Sequence, residues 1–96
     1  PDILATVSAL DAGRRPALVV GFAAETQDVT HLATQKRARK GCDWIVANDV
    51  SDGSGIMGGT ENAVTLITAD GAEDWPRMAK DAVARRLAQR MSEALA

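Results

Sequence analysis

The sequence has 96 residues, is 46% hydrophobic and 25% charged, and carries a net charge of −2, which indicates one globular domain and excludes a disordered chain or a protein that coats nucleic acid. No apolar run approaches the roughly 20 residues needed to cross a bilayer and no signal-peptide pattern opens the chain, so we predict no membrane partner and a cytoplasmic location. A single cysteine, Cys42, and a single histidine, His31, exclude an internal disulfide and argue against a zinc site.

The first predicted element is a short amphipathic helix over residues 2–10. Its apolar residues recur at helical spacing: Ile3, Leu4, Val7 and Leu10. Pro1 and Asp2 are interpreted as its first turn, and the capping residue that normally precedes such a turn is absent. We therefore expect this sequence to be part of a longer polypeptide.

Two buried strands are predicted next, over residues 17–22 and 43–48, because both are continuous apolar runs bounded by turn residues. Between them Asp28 is expected to cap a helix that ends at Gly41. Two strands joined through a helix favour a right-handed unit with parallel pairing.

The last third of the chain is predicted to hold one strand and one helix. The glycine-rich residues 49–61 should be irregular, 62–70 a third strand, and 71–76 a turn. A helix is expected from about Arg77 to Leu95. Its predicted inward residues are Met78, Ala82, Val83, Leu87, Met91, Ala94 and Leu95, and its predicted outward residues are Arg85, Arg86, Arg90 and Glu93.

These elements predict an α/β fold, a Rossmann-like three-layer sandwich in which this chain is the carboxy-terminal part of a larger, mostly parallel sheet. A sheet of three strands leaves at least one edge, and one face, in need of cover. We expect an amino-terminal half or a partner subunit to supply that cover.

Ligands of open α/β sheets bind beyond the carboxyl ends of the strands. The predicted ends are Gly21-Phe22, Asn48-Asp49 and Ala69-Asp70. Phe22 could pack against a nucleoside ring or be an aromatic core residue. Asn48 could bind a ligand or only close the turn.

Four basic residues lie within five positions at the end of the predicted second helix: Lys36, Arg37, Arg39 and Lys40. Lys36 and Lys40 are four apart, so they lie on one helical face within reach of one polyanion. The alternative is a solvated helix end, at which cations complement the helix dipole.

Other residues favour structural roles. The loop 53–59 lacks the Lys-Ser/Thr pair of a phosphate-binding loop. His31 is expected on the surface, and Trp44 and Trp75 are expected in packing or interfaces because no basic stripe accompanies them.

Taken together, the segments "PDIL", "VVGFAAET", "KRARKGCDWIVAND" and "NAVTLIT" closely resemble the carboxy-terminal half of bacterial phosphopantothenate–cysteine ligase. In that family the ligase is commonly fused to a flavin-dependent phosphopantothenoylcysteine decarboxylase, which would bring FMN with it. The resemblance implies a ligase of coenzyme A biosynthesis that joins phosphopantothenate to L-cysteine with CTP and Mg²⁺ through an acyl-cytidylate. It also implies a Rossmann-like fold and a homodimer with active sites near the interface.

The resemblance also implies nucleotide-binding positions, and these are Pro1, Asp2, Ile3, Leu4, Phe22, Lys36 and Lys40. Asn48 is a further candidate for lining the substrate site, and no residue is assigned as catalytic or as a metal ligand. The family's lid with its essential lysine, its glycine-containing nucleotide loop and an asparagine that contacts the intermediate are absent. We therefore expect this chain alone to be inactive, and the preference for CTP over ATP comes from the resemblance only.

Two other function classes remain open at this stage. One is a non-catalytic Rossmann-like interaction module that uses the basic helix as a docking face. The other is a dinucleotide oxidoreductase, which is disfavoured because its glycine fingerprint is missing.

Overall fold

The computed structural model describes residues 2–50 and 61–96. Its elements in chain order are helix α1 (Ile3–Ser8), strand β1 (Val20–Glu25), helix α2 (Val29–Lys40), strand β2 (Trp44–Asp49), strand β3 (Glu61–Asn62), strand β4 (Val64–Thr68), strand β5 (Gly71–Asp74), strand β6 (Met78–Ala79) and helix α3 (Lys80–Leu95). Most of the predicted irregular segment 49–61 lies outside the described residues.

Strands β1, β2, β4 and β5 form a sheet in the order β1-β2-β4-β5. The predicted parallel pairing of β1 and β2 is confirmed, with a register that runs from Val20 opposite Trp44 to Glu25 opposite Asp49. β4 and β5 join this pair in antiparallel orientation. The described sheet is therefore mixed, and the expectation of a mostly parallel sheet is wrong for this part of the chain. β3 and β6 form a separate antiparallel ribbon.

Both faces of the sheet are covered by helices. On one face, α1 and α2 pack Leu4, Val7 and Val29 against a buried cluster that includes Ile45 and Ile67. On the other face, α3 packs its apolar stripe against a second cluster. That second cluster consists of Trp44, Val46, Val64, Leu66 and Trp75, contacted by Met78, Val83, Leu87 and Met91.

The contact between α1 and the sheet is tight at a glycine. A Cβ at Gly21 would lie 2.5 Å from Leu4 Cδ2 and 2.9 Å from Ile45 Cδ1, closer than side-chain atoms approach. Gly21 therefore leaves room for the ends of the Leu4 and Ile45 side chains between α1 and the sheet, and a larger residue there would make them shift.

Strand β1 begins and ends three residues later than predicted, at Val20 and Glu25. Its start is displaced because the residue before it bonds elsewhere: the N–H of Val19 donates to Asp43 Oδ2 at 2.8 Å. Its end is displaced because pairing with β2 continues to Glu25, although alanine and glutamate have little strand preference. Phe22 is consequently in the middle of β1 and not at its tip.

The segment 71–76, predicted as a turn, begins with strand β5. These four residues have low strand preference, and they become extended because they pair with the free edge of β4. The register runs from Thr65 opposite Asp74 to Thr68 opposite Gly71. Thr65 Oγ1 also donates to Asp74 Oδ1 at 2.7 Å. The predicted start of the last helix near Arg77 is wrong for a similar reason, since Met78 and Ala79 pair with β3 before α3 begins at Lys80.

The observed ends of α1 and α2 match the sequence predictions only in part. Gly41 ends α2 in the left-handed conformation, at φ 75°, as predicted. Asp28 occupies the N-cap position of α2, but its own φ is 45° and its side chain makes no capping bond. Asp2 is the N-cap of α1 and not part of its first turn, because its carboxylate accepts from the N–H of Ala5 at 3.0 Å. The capping residue thought to be missing is therefore Asp2 itself.

The two faces of α3 differ from the prediction at specific places. Ala94 and Leu95, predicted inward, are exposed at the end of the helix. Arg86 and Arg90, predicted outward, instead lie over the rings of Trp75 and Trp44 at 4.7 Å and 5.5 Å from the ring centroids. The predictions of buried tryptophans and an exposed His31 are confirmed. Among the described residues, no helix has the length and apolar character needed to cross a membrane.

Candidate functional site

The two lysines predicted to bind phosphate lie in the second half of α2, where Lys36 contacts the last residue of β1 and Lys40 contacts the beginning of α1. Lys36 Nζ is 3.4 Å from Glu25 Oε1, and the Glu25 side chain is only 13% exposed. Lys40 Nζ pairs with Asp2 Oδ2 at the beginning of α1. The helix therefore brings both ammonium groups to one side of the sheet, and each meets a carboxylate from a different element.

Asp2 joins two helices at this place. One carboxylate oxygen accepts from the N–H of Ala5 and the other contacts Lys40. The ammonium of Lys40 and the N–H of Ala5 hold the pKa of the Asp2 carboxyl below its ordinary value of 3.8. Asp2 thus remains ionised at neutral pH and keeps α1 next to the end of α2.

The neighbouring arginines of α2 do not share this arrangement. Arg37 Nε donates to the carbonyl oxygen of Asp43 at 2.6 Å, which fixes the turn into β2. Arg39 is exposed. The basic segment is therefore divided between a structural arginine, an exposed arginine and two lysines held by carboxylates.

A second feature lies on the opposite face of the sheet, where a groove of about 380 Å³ opens between β1 and α3. Its walls are mostly apolar, and its lining residues are Phe22, Ala23, Ala24, Val46, Asn48, Asn62, Val64 and Val83. The side-chain oxygens of Asn48 and Asn62 are buried and have no hydrogen-bond partner among the described residues. The groove therefore offers an apolar wall and two amide oxygens able to accept hydrogen bonds.

The structure does not bring Phe22 and the lysines together on one face. Gly21 faces Leu4 of α1, so the next residue, Phe22, points to the α3 face, where it lines the groove. Lys36 and Lys40 lie on the α1 and α2 face with Glu25. Because β1 is an edge strand of the described sheet, a ligand that contacts both Phe22 and the two lysines must pass across that edge.

Phe22 is not the aromatic core residue that was considered as its alternative. Its side chain is 69% exposed, whereas Trp44 and Trp75 are 8% and 4% exposed. An exposed phenylalanine beside a groove is the arrangement expected of a binding surface, and its role in holding a nucleoside stays a prediction.

The predicted strand ends do not all meet. Asn48 lies near the carboxyl end of β2, opposite Ala24 of β1. β4 runs antiparallel to β2, so Ala69 and Asp70 lie at the other end of the sheet. The prediction that Ala69 and Asp70 lie at the same ligand site as the other two strand ends is therefore wrong.

The remaining predicted nucleotide contacts are at the beginning of the chain. Pro1 lies outside the described residues. Ile3 is 75% exposed, while Leu4 is partly buried against the core under β1. Ile3 is thus available to a ligand, and Leu4 helps to position α1.

Sequence reasoning missed two residues of this region. Glu25 had no assigned role, because its contact with Lys36 depends on the extension of β1 to residue 25. Asn62 follows the undescribed segment, and no local pattern indicated that its amide would meet that of Asn48 in one groove. Within the described ranges, no group of three histidine, cysteine or acidic side chains is arranged to hold a metal ion.

Comparisons with known proteins show the family to which the chain belongs. The family model described as DNA/pantothenate metabolism flavoprotein C-terminal domain matches residues 1–95. The Coenzyme A biosynthesis bifunctional protein CoaBC of Vibrio cholerae is 46% identical over 84 residues, which cover 88% of this chain and 21% of that protein. The protein of the same name from Escherichia coli is 45% identical over 87 residues, which cover 91% of this chain and 21% of that protein.

A solved structure is also similar. The crystal structure of the C-terminal domain of Coenzyme A biosynthesis bifunctional protein CoaBC matches with a TM-score of 0.76 and 33% identity, over 99% of this chain and 42% of that one. The chain thus spans about a fifth of the length of the curated relatives it matches. On this evidence the chain belongs to the DNA/pantothenate metabolism flavoprotein C-terminal domain family and is related to the carboxy-terminal part of the CoaBC proteins.

Proposed function

We propose that this chain forms the carboxy-terminal part of a ligase domain that joins phosphopantothenate to L-cysteine with CTP. In that domain its sheet would be part of a larger Rossmann-like sheet completed by an amino-terminal half, and two copies would form a homodimer. The observation that carries the proposal is the pair Lys36 and Lys40, placed one helical turn apart on α2 with their ammonium groups on the same side of the sheet, in a chain of this family.

The proposed reaction has two steps. A carboxylate oxygen of phosphopantothenate attacks the α-phosphorus of CTP, which forms the acyl-cytidylate and releases pyrophosphate. The amine of cysteine then attacks the acyl carbon, so that an amide bond forms, the bond to CMP breaks and a proton is lost. Neither step requires a nucleophilic side chain, because the nucleotide makes the carbonyl electrophilic and binding supplies proximity.

The role of Lys36 and Lys40 in this scheme is electrostatic. Negative charge grows on the α-phosphate and on the departing pyrophosphate, and ammonium groups in a partly buried position stabilise it. The two side chains are 30% and 25% exposed, so they are accessible to phosphate and yet partly shielded from water. Asn48 and Phe22 would contact the organic parts of the ligands in the groove on the other face.

The described residues do not fit a resident metal ion, since no metal-binding cluster exists among them. Mg²⁺ would therefore arrive with the nucleotide. FMN would serve a fused decarboxylase domain and not this chain.

The interaction-module alternative gains no support from the structure. Three of the four basic side chains at the end of α2 are already engaged, since Lys36 and Lys40 pair with carboxylates and Arg37 donates to a backbone carbonyl. A docking face for a macromolecule would need several of these charges on an open surface, and of the four only Arg39 is exposed.

The proposal is tested by calorimetric titration of the full-length protein with CTP and Mg²⁺. Lys36→Ala and Lys40→Ala should each weaken binding by about 1.5–3 kcal/mol, since each removes a charge-assisted hydrogen bond, or about 10- to 150-fold in Kd. Arg39→Ala is the matched control, because Arg39 is an exposed basic residue of the same helix, and it should change Kd less than about twofold.

Titration with ATP in parallel measures the preference for the base. If Arg39→Ala weakens binding as much as the lysine variants, or if the lysine variants bind CTP as the wild type does, the proposal is wrong.

A further inference from the structure

The charges around the two lysines cancel. Lys36 and Lys40 contribute two positive charges, and Glu25 and Asp2 contribute two negative charges at contact distance. A phosphate group that approaches this place therefore meets an electrically balanced cluster. To gain the full attraction of the ammonium groups it must compete with the carboxylates that pair with them.

Asp2 and Glu25 are held in the fold by contacts that do not involve the lysines. Asp2 keeps a second contact through the N–H of Ala5, at 3.0 Å. Glu25 ends a paired strand, and its carbonyl oxygen accepts from the N–H of Val50 at 3.0 Å. If Lys40 turns away, the Asp2 carboxylate thus keeps its bond to Ala5, and if Lys36 turns away, the backbone of Glu25 stays in place, so each acidic residue remains available to its lysine.

The lysines are able to move, because an ammonium group on four methylenes reaches several positions without backbone movement. An ammonium group has three N–H donors, but one that already pairs with a carboxylate attracts phosphate less than one that has left Glu25 or Asp2. The apparent affinity of a ligand is lowered by the fraction of the protein that is not competent.

We infer that Glu25 and Asp2 act as built-in competitors of the phosphates, and that they set the affinity of Lys36 and Lys40 for a polyphosphate. This inference rests on the proposed function, because it assigns the same two lysines to phosphate. It adds Glu25 to the site and assigns to Asp2, already predicted to contact the nucleotide, an opposing effect on the phosphates, since removal of either carboxylate strengthens polyphosphate binding.

The experiment measures the binding of inorganic tripolyphosphate to the full-length protein by calorimetry, without metal and at constant ionic strength. The variants are Glu25→Gln and Asp2→Asn, which keep the shape of each side chain and remove its charge. Asparagine also remains a good N-cap, so α1 should be preserved. The matched control is Asp81→Asn, which removes one negative charge and the exposed pair with Arg85 on α3, on the far face of the sheet.

We expect Glu25→Gln to tighten tripolyphosphate binding roughly three- to tenfold, because more of the protein is in the competent state. Asp2→Asn should act in the same direction, and Asp81→Asn should change Kd less than about twofold, because an exposed and distant charge is screened by salt. The gain from Glu25→Gln should disappear when Lys36 is also replaced by alanine.

The inference is overturned if Glu25→Gln leaves binding unchanged or weakens it, or if Asp81→Asn tightens binding equally. Loss of binding in Lys36→Ala with no gain in Glu25→Gln would reject the inference and leave the proposed function in place. Tripolyphosphate binding that is insensitive to both lysines would reject the two together.

Discussion

On the face of the sheet that α3 covers, Arg86 and Arg90 lie over tryptophan rings, whereas on the α1 and α2 face Lys36 and Lys40 each meet a carboxylate. The arginine cluster is built around Glu73 of β5. Glu73 accepts from Trp75 Nε1 at 2.8 Å and from Arg90 at 3.2 Å.

The arginine cluster is fixed by several contacts at once. The guanidinium groups combine a charge contact with stacking on an aromatic ring, which a planar cation does better than an ammonium group. The bond from Trp75 and the charge of Arg90 hold the pKa of the Glu73 carboxyl below its ordinary value of 4.5. The cluster joins α3 to β5, so its role is structural.

The lysine pairs differ because each depends on one flexible side chain and one carboxylate. Such pairs add little to stability when they are partly solvated. Pairing of charges therefore does not by itself indicate a structural role. Multiple contacts on rigid groups indicate structure, and single contacts on flexible groups leave a charge available for a ligand.

The largest expected change in the free energy of unfolding distinguishes the buried ring of Trp75 from the exposed ring of Phe22. Trp75→Ala should lower the free energy of unfolding by about 3–5 kcal/mol, because it removes a buried ring from the core. Phe22→Ala, the control from the α3 face, should cost about 1 kcal/mol or less, because that side chain already contacts water. Urea unfolding followed by circular dichroism measures both. Equal losses would contradict the assignment of Trp75 to the core and Phe22 to a binding surface.

A smaller loss of stability is expected when an arginine of α3 is replaced. Arg90→Ala should destabilise by about 1–2 kcal/mol, since it removes a charge-assisted bond to Glu73 and leaves that carboxylate with fewer donors. Arg85→Ala is the control on the same helix, because Arg85 pairs with Asp81 at an exposed position, and it should cost about 0.5 kcal/mol or less. The same unfolding experiment applies. Similar values for the two variants would show that the cluster around Glu73 is not structural.

Much of the fold follows from local patterns. The apolar runs around Val20 and Ile45 predicted the parallel pair, and Gly41 predicted the end of α2. Strand β5 could not be predicted, because Gly71 to Asp74 have little strand preference and become a strand only by pairing with β4. The true start of β1 depended on Asp43, a residue 24 positions away that bonds to the N–H of Val19.

The candidate site was predictable in its residue types and not in its arrangement. The spacing of Lys36 and Lys40 placed them on one helical face. The local sequence did not indicate which face of β1 is covered by α2. Phe22 was therefore expected beside the lysines, but it lies on the opposite face of the sheet. The pairing of Lys36 with Glu25 spans 11 positions and required the full length of β1.

The lysine pairs should contribute less to stability than the arginine cluster. Lys36→Ala and Lys40→Ala should each change the free energy of unfolding by about 0–1 kcal/mol, which is the range of partly exposed ion pairs. Thermal unfolding of both variants beside Arg90→Ala tests the order. A loss for Lys40→Ala that exceeds that of Arg90→Ala would mean that the contact with Asp2 is a structural lock, and it would remove the distinction between the two faces.

The smallest effects should appear in the dependence of stability on pH, and they separate the two faces by the pH at which they occur. Glu73 has a lowered pKa, so its contribution is present above the ordinary value of 4.5 and is lost as the pH falls below it through the lowered value. The difference in melting temperature between the wild type and Glu73→Gln should therefore be constant from pH 7 to about 5 and shrink below about 4.5.

The corresponding difference for Asp2→Asn should persist to lower pH, because the ordinary value of the Asp2 carboxyl is 3.8 and its pKa is also lowered, first by Lys40. Differential scanning calorimetry from pH 7 to 3 measures both differences. If the Asp2→Asn difference vanishes above the pH at which the Glu73→Gln difference does, Lys40 does not hold the Asp2 carboxylate in solution. In that case the lysine is already free to bind phosphate, and Asp2 is not its competitor.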